Sequence, residues 1–311
     1  MGLAEGNPSA VKMRALMTGT PFSVKLFAAP GAGSKWLALN ARFGGRAKLP
    51  GTIPNEEIWR GMVSGTGSVL ANVRRRNKRF PGSPRCRQCY LPLGGPLAWA
   101  FRLRGQRPSD GNPNFCNNCE LFVREHPGGV EVEMAFLFAD VRGSASMAEK
   151  VSPTQFTENM NQFFSAANRV LIGSDAYIDK LVGDEVVSFY MPYLGGGKSR
   201  LAVLAAKELL IATGHQAPEG PWLPVGVGVN TGVAFIGSVG TPDGRTDFTA
   251  MGDVVNVTAR LASLARSGEI LVGASAWAEA AIGDETAHPR RLQVKGKSEP
   301  IDVFVLTIGS R

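Results

Sequence analysis

Apolar positions are densest beyond Val130, and the changes in their spacing predict alternating strands and helices. VEMAFLFADV (132–141) is a nearly unbroken apolar run ending at Asp140, the pattern of a strand buried on both faces. SPTQ then opens a helix, with Ser152 as N-cap, Pro153 at the first helical position and Gln155 completing a capping box. Phe156, Met160, Phe163, Phe164, Ala167 and Val170 form its apolar face, and Gly173 ends it. AYIDKLV (176–182) and EVVSFYM (185–191) are strand-like runs separated by Gly183-Asp184, which predicts a tight hairpin with Asp184 at its tip. A second helix is predicted over 199–213, followed by short strands PVGVGV and VAFIGSV on either side of Asn230-Thr231-Gly232. Helix DVVNVTARLASLAR, strand EILVGA, the short helix SAWAEAAI and strands RRLQV and IDVFVLTI complete the pattern. The order β-α-β-β-α-β predicts an α+β fold: a ferredoxin-like core with a C-terminal extension.

The first 129 residues follow other rules. Residues 1–53 are rich in Gly, Ala, Pro and Ser, are basic, and show no sustained period, so a disordered leader is expected. Arg-rich, acid-poor leaders also resemble organelle transit peptides, and an extended or misassigned start is the alternative. Residues 54–129 begin with a predicted helix: Asn55 as N-cap, Glu56 and Glu57 in its first turn, then Ile58, Met62 and Val69, closed by RRRNKR (74–79). All four cysteines follow, as CRQC (Cys86, Cys89) and CNNC (Cys116, Cys119), with 26 Gly- and Pro-rich residues between. Two such pairs are the spacing of two knuckles that present four thiolates to one tetrahedral structural zinc, the metal replacing a core that so loop-rich a segment lacks. An iron–sulfur cluster, disulfides or free thiols are the other readings. His126 is expected at the surface, and Pro127-Gly128-Gly129 as a joint before the segment 130–311.

Charge sharpens this division. The chain of 311 residues carries a net +8, yet its first 130 residues hold 19 Lys+Arg against 6 Asp+Glu, and the remainder 15 against 20. The basic part suits nucleic acid, an anionic membrane surface or an acidic partner. Solvated surface is preferred, and nucleic acid disfavoured, because no aromatic-plus-basic stacking pattern accompanies the charge. With no run of about 18 apolar residues and no secretory leader, a soluble cytoplasmic protein with no membrane partner is expected.

Asp140 at a strand end and Asp184 at the hairpin tip converge in this topology, and paired carboxylates suit Mg²⁺ or Mn²⁺ carrying a phosphate substrate. Two solvated turn acids are the plainer reading; Arg142-Gly143-Ser144, offering backbone N–H groups to a polyphosphate, favours the first. Asn256 and Arg260 share one helix face, where they suit a ribose oxygen and a phosphate. Lys295, in QVKGK, adds a cation beside a glycine. GGGKS (195–199) is not a P-loop, since Pro192 stands where its first glycine belongs.

FLFADVRGS, KLVGDEVV, GVNTGVAFIGSVG, FTAMGDVVNVTARL and VKGK, in this order and separation, resemble the catalytic domain of the class III adenylate and guanylate cyclases over residues 130 to about 308. The resemblance implies two Mg²⁺ or Mn²⁺ ions on Asp140 and Asp184, Val141 to Ser144 around the phosphates, Arg260 on the α-phosphate, Asn256 on the ribose, and Lys295 on the terminal phosphates. It further implies that Lys180 and Thr249 read the purine. Lys with Thr or Asp is the family's ATP-selecting pairing, against Glu and Cys for GTP, so an adenylate cyclase is expected, with guanylate cyclase the runner-up. Ala145 departs from the Thr of many members, which bears on the phosphate loop. The family also implies a homodimer with shared sites. A regulatory signal or protein is expected to act through the region before Val130. The rival from another class is a non-catalytic cyclase-like dimeriser fused to a zinc module that binds nucleic acid or protein.

Overall fold

The computed structural model describes residues 55–64, 69–110, 114–240, 246–283 and 286–309, so the leader expected over 1–53 lies outside the described residues. Four helices precede the sheet: α1 (Asn55–Val63), α2 (Val69–Lys78), α3 (Ala98–Leu103) and α4 (Asn117–Glu125). The first two stand where the sequence predicts one helix from Pro54, with the glycine-rich SGTGS between them. Asn55 is the first residue of α1 rather than its cap, and its amide donates to the Pro127 carbonyl at 2.9 Å.

The sheet begins with β1 (Gly128–Val141), followed by α5 (Ser144–Lys150), α6 (Pro153–Gly173), β2 (Tyr177–Val182) and β3 (Glu185–Tyr190). A 3-10 turn (Pro192–Gly197) leads to α7 (Lys198–Ala212), β4 (Val225–Gly240), β5 (Thr246–Met251) and α8 (Asp253–Leu264). Then come β6 (Glu269–Gly273), α9 (Ala274–Ala280), β7 (His288–Leu292) and β8 (Ile301–Thr307). The strand order is β2-β3-β1-β4-β6-β8-β7, with β5 paired to β4 off this path. Its first four strands are antiparallel neighbours in the order of a ferredoxin-like βαββαβ unit. The predicted capping box of α6 forms: the Gln155 N–H donates to Ser152 Oγ, and the Ser152 N–H to Gln155 Oε1, each at 3.2 Å.

Two departures concern glycine. The strands expected on either side of Asn230-Thr231-Gly232 are one 16-residue strand, β4. Its glycines mark close packing instead of a turn: a Cβ on Gly228 would lie 2.5 Å from the Ala262 nitrogen, and one on Gly226 2.5 Å from the Ala265 oxygen, so α8 rests directly on the strand. Gly129, expected in a joint, pairs with Gly237 inside the β1–β4 ladder. A Cβ there would stand 2.3 Å from the Ile236 oxygen.

Both sheet faces are apolar. Ala135, Leu137 and Ala139 of β1 pack with α6 and α7 in one cluster. Met134, Phe136 and Phe138 alternate onto the other face and join Tyr177 and Phe189. That second face is covered by the N-terminal segment: Trp59, Leu70, Cys86, Leu91, Phe101, Phe115 and Val123 belong to the same cluster. Trp59, wholly buried, stacks on Phe248 of β5 at 5.4 Å, meets Phe122 edge-on at 5.1 Å and donates its indole N–H to the His126 carbonyl at 3.0 Å. Arg74, also buried, donates to the Gln88 carbonyl at 2.9 Å and the Ala176 carbonyl at 2.8 Å, and lies over the Tyr90 ring at 3.6 Å. It thus bolts α2 and the first cysteine turn to the entry of β2.

A shared core predicts shared unfolding. Trp59→Ala should cost about 3–5 kcal/mol and, in urea, move probes placed in α1 and in β3 to lower midpoints together. A shift confined to the N-terminal probe would show that the two segments unfold independently.

Candidate active site

The acidic end of the site is built by the β1 terminus and the β2–β3 hairpin. Asp140 is cross-strand neighbour to Glu185, so the two carboxylates share the sheet face of Phe136 and Phe138. Gly183, at φ +62°, makes the tight turn that holds Asp184 beside them. The Val141 N–H donates to the Asp184 carbonyl at 3.2 Å, and the Ser144 hydroxyl donates to the Asp184 carboxylate. Arg142 pairs with Asp140 and reaches the Ser263 carbonyl at 2.6 Å, tying the acids to the C-terminal end of α8.

Burial raises the Asp140 carboxyl above its usual range, Arg142 opposes the rise, and Asp184 adds to it. Burial also raises Glu185, with Asp140 and Asp184 adding repulsion. Glu185 is therefore a half-buried third carboxylate of the cluster. The outcome for the phosphate loop is mixed. The Val141 N–H is taken by Asp184, and the Arg142 N–H by the Pro224 carbonyl at 2.8 Å, which leaves Gly143 and Ser144 as its candidate donors.

Lys180 and Thr249, the pair that the resemblance assigns to the purine, meet through a β-bulge. Ile178 pairs with Ser188 but Lys180 with Val187, so the register slips at Asp179. Strict alternation would send Lys180 to the face of Ile178, against the helices; the bulge instead returns it to the face of Tyr177. β5 curls over that face far enough for Phe248 to meet Tyr177 at 5.1 Å. Thr249 donates its hydroxyl to Asp179 Oδ2 at 2.9 Å, and Lys180 Nζ stands 3.5 Å from the same oxygen. Asp179, buried and held above its usual range chiefly by desolvation, joins the two residues that the sequence predicts here. Nothing in its sequence spacing marks it, because it takes part through the bulge.

The third group lies on α8 and the turn before β8. Asn256 is exposed and Arg260 half-buried, and a Cβ on Gly296 would lie 3.8 Å from an Arg260 guanidinium nitrogen. This places the Arg260 guanidinium against the Lys295-Gly296 turn. Lys297 binds Asp253 at 2.5 Å and fastens that turn to the start of α8.

The four cysteines form one cluster. All are free thiols, and their sulfurs lie within 4.8 Å of one another, with Cys89 Sγ and Cys116 Sγ 3.7 Å apart. Zn–S bonds of about 2.3 Å in a tetrahedron give S···S edges of about 3.8 Å, so the cluster fits zinc. Burial raises the Cys86 thiol, but hydrogen bonds from the other three outweigh it and bring it well below the ordinary thiol range. Four sulfur donors gathered this closely are the kind of set that a soft cation completes. His126 stacks on Phe122 at 4.5 Å and is not part of this cluster.

Residues 130–307 match the family model described as adenylate and guanylate cyclase catalytic domain. A 187-residue stretch is 27% identical to the adenylate cyclase of Anabaena cylindrica, covering 55% of this chain and 36% of that one. Over 189 residues the chain is 25% identical to the terminal-differentiation specific adenylate cyclase of Dictyostelium discoideum, covering 57% of this chain and 9% of the relative. The chain thus spans only a minor part of the length of these relatives. Among solved structures, the guanylyl cyclase Cya2 matches at TM-score 0.54 and 25% identity, over 59% of this chain and 96% of that one. The adenylyl cyclase CyaB from P. aeruginosa matches at TM-score 0.50 and 25% identity, over 58% and 96%. No helix among the described residues is long and apolar enough to cross a membrane. The family match covers more than half of the chain and includes each of the three side-chain groups around the sheet, and the chain therefore belongs to the class III adenylate and guanylate cyclase catalytic-domain family.

Proposed function

We propose that this chain is an adenylate cyclase, converting ATP to 3′,5′-cyclic AMP and pyrophosphate at sites shared by two copies. The observation that carries the choice of ATP is the Lys180–Asp179–Thr249 group. Adenine presents an acceptor at N1 and a donor at its amino group, which complement a lysine donor and a threonine hydroxyl whose proton is already given to Asp179. Guanine would set its N1 donor against the lysine. Turnover of ATP and GTP, compared side by side with Mn²⁺, tests the choice directly; equal or greater cyclic GMP formation overturns it.

Asp140 and Asp184, with Glu185 behind them, are hard oxygen donors that fit two Mg²⁺ or Mn²⁺ ions. Such ions, when bound, lower the pKa of the ribose 3′-hydroxyl and carry part of the triphosphate charge. The chain's residues supply position and counter-charge. Asn256 holds the ribose so that its 3′-oxygen lies in line with the α-phosphorus, forming the new P–O bond as the bond to pyrophosphate breaks. Arg260 steadies the charge that develops on the α-phosphate oxygens, and Lys295, in the turn against it, holds the terminal phosphates. The acids come from one copy, and the base-reading, ribose and α-phosphate residues from the other. The four cysteines hold one structural zinc, and the region before Val130 carries the regulatory input.

Three outcomes follow from this assignment. Asp184→Ala and Arg260→Ala should each lower turnover by at least about a hundredfold. Mixing them with demonstrated exchange should restore roughly a quarter of wild-type activity, since half the dimers are mixed and each mixed dimer has one intact site of two. Zero recovery after exchange rules out shared sites. Purified chain should contain about one zinc per polypeptide, and a strong chelator should lower the melting temperature of the whole chain; metal-free chain with an unchanged melting point contradicts the zinc assignment. Finally, Glu185 has its folded-state pKa raised by burial and by its acidic neighbours, so the fold prefers it protonated. The resulting strain is absent below the unfolded value of about 4.3 and grows as pH rises through the folded value. Glu185→Gln should therefore stabilise the metal-free chain at pH 8 and leave it unchanged near pH 3.5, by thermal melting at both; equal effects at the two values would contradict the sign.

A further inference from the structure

The base-reading bulge is held by the cysteine segment. Arg87 lies inside CRQC, between Cys86 and Cys89, where its backbone has little freedom: its N–H donates to the Asn114 carbonyl at 2.9 Å, and its own carbonyl accepts from Arg74 at 3.2 Å. Its guanidinium leaves the cysteine turn and donates to the Asp179 carbonyl at 2.6 Å. Asp179 is the residue at which the β2–β3 register slips, so its backbone is the part of β2 that the ladder holds least. Arg87 supplies at that point a charge-assisted hydrogen bond in place of a strand partner. Its charge also opposes, in part, the rise that burial imposes on the Asp179 carboxyl. Arg87, Asn114 and Phe115 from the cysteine segment, Tyr177, Asp179 and Lys180 from β2, and Asp247 and Phe248 from β5 line a cavity of about 70 Å³ beside the lysine.

We propose that Arg87 is a positioning residue for the purine-reading pair, so that the cysteine segment sets how sharply the site tells adenine from guanine. The chain of contacts is short. Arg87 holds the Asp179 backbone; the Asp179 carboxylate takes the Thr249 hydroxyl proton and anchors Lys180. Without the guanidinium, the bulge can relax toward regular alternation, turning Lys180 away from the base and freeing the Thr249 hydroxyl to donate as well as accept. Both changes favour guanine relative to adenine. The assignment rests on the cyclase reading and deepens it.

The test uses the full chain with Mn²⁺ and two nucleotides that bind without turnover, 3′-deoxy-ATP and 3′-deoxy-GTP, measured by calorimetry, beside KM and kcat for ATP and GTP. Arg87→Ala should lower the preference for the adenine analogue about tenfold, or ~1.4 kcal/mol, with the change in turnover falling mainly on KM. Arg87→Lys, which still offers a cationic donor to the carbonyl, should recover part of that preference. A purely adhesive role for Arg87 would lower the melting temperature and leave the ratio intact, so a folded, zinc-containing Arg87→Ala chain with wild-type discrimination overturns the proposal. Should that variant not fold, Arg87→Gln is measured with the same expectation, and wild-type discrimination in it overturns the proposal equally. A wild-type chain that binds neither analogue overturns the cyclase reading itself, and this assignment with it, whereas binding with an unmoved ratio removes only the role of Arg87.

Discussion

The second face of the sheet cannot be left to water. An antiparallel sheet can expose one face, but here Met134, Phe136, Phe138, Tyr177 and Phe189 all project from it and all are buried. Leaving side chains of this size exposed costs about 1.5–3 kcal/mol apiece. The cover comes from the segment before β1, and its composition explains how it does so. Between Phe80 and Asn117 its described residues offer one six-residue helix, and its sequence many glycines and prolines, too little regular structure to hold a shape alone. Two constraints fasten it: Trp59 and its aromatic neighbours dock it on the sheet, and the four thiols gather its loops at one point. The charge asymmetry along the sequence therefore divides surfaces and not cores.

On the same face, the transition from apolar to acidic takes place within one turn of chain. Phe138 is packed and Asp140, two residues on, is a half-buried carboxylate opposite Glu185 and near Asp184. Three acids with one internal counter-charge, Arg142, leave a net negative patch at the edge of an apolar layer. Desolvation is the largest contribution to the raised affinity of Asp140 and Glu185 for protons. A divalent cation answers the same electrostatic demand more completely than a proton does, because it compensates several carboxylates at once. Stability given up at such a site is characteristic of functional positions.

How much of this can be read from residues alone depends on whether the signal is local. The capping box at Ser152, the hairpin at Gly183-Asp184 and the helix beginning at Asp253 are written in residues a few positions apart, and each forms where the sequence predicts it. β4 reads as two strands because Gly226, Gly228 and Gly232 imitate a turn, whereas the first two are demanded by α8, which lies some 35 positions later. β5 does not stand out as an element, since TDFTAM carries an acid and no clear alternation. The place of Glu185 beside Asp140 emerges only from register. The residues of the site are legible as five ordered blocks. What joins them is not: Asp179 enters through a bulge, and Arg87 through a contact spanning 92 positions.

That last contact changes what the four cysteines are for. A cysteine segment that only thickens the cover needs apolar contacts with the sheet, and Leu91, Phe101 and Phe115 provide them. It does not need a guanidinium extended to the single backbone position on β2 where the ladder slips. Nor does apolar packing need a buried Arg74 to brace the carbonyls of both Arg87 and Gln88, since an arginine taken out of water is costly unless its hydrogen bonds are made. The two arginines act in series. Arg74 fixes the turn that carries Arg87 and, through Ala176, also fixes the entry of β2; Arg87 then fixes the bulge from the other side. The cysteine turn and Asp179 are thus joined by charge-assisted hydrogen bonds to backbone and not by apolar packing alone. The geometry of the cysteine cluster and the placement of Lys180 are, in this fold, one mechanical problem.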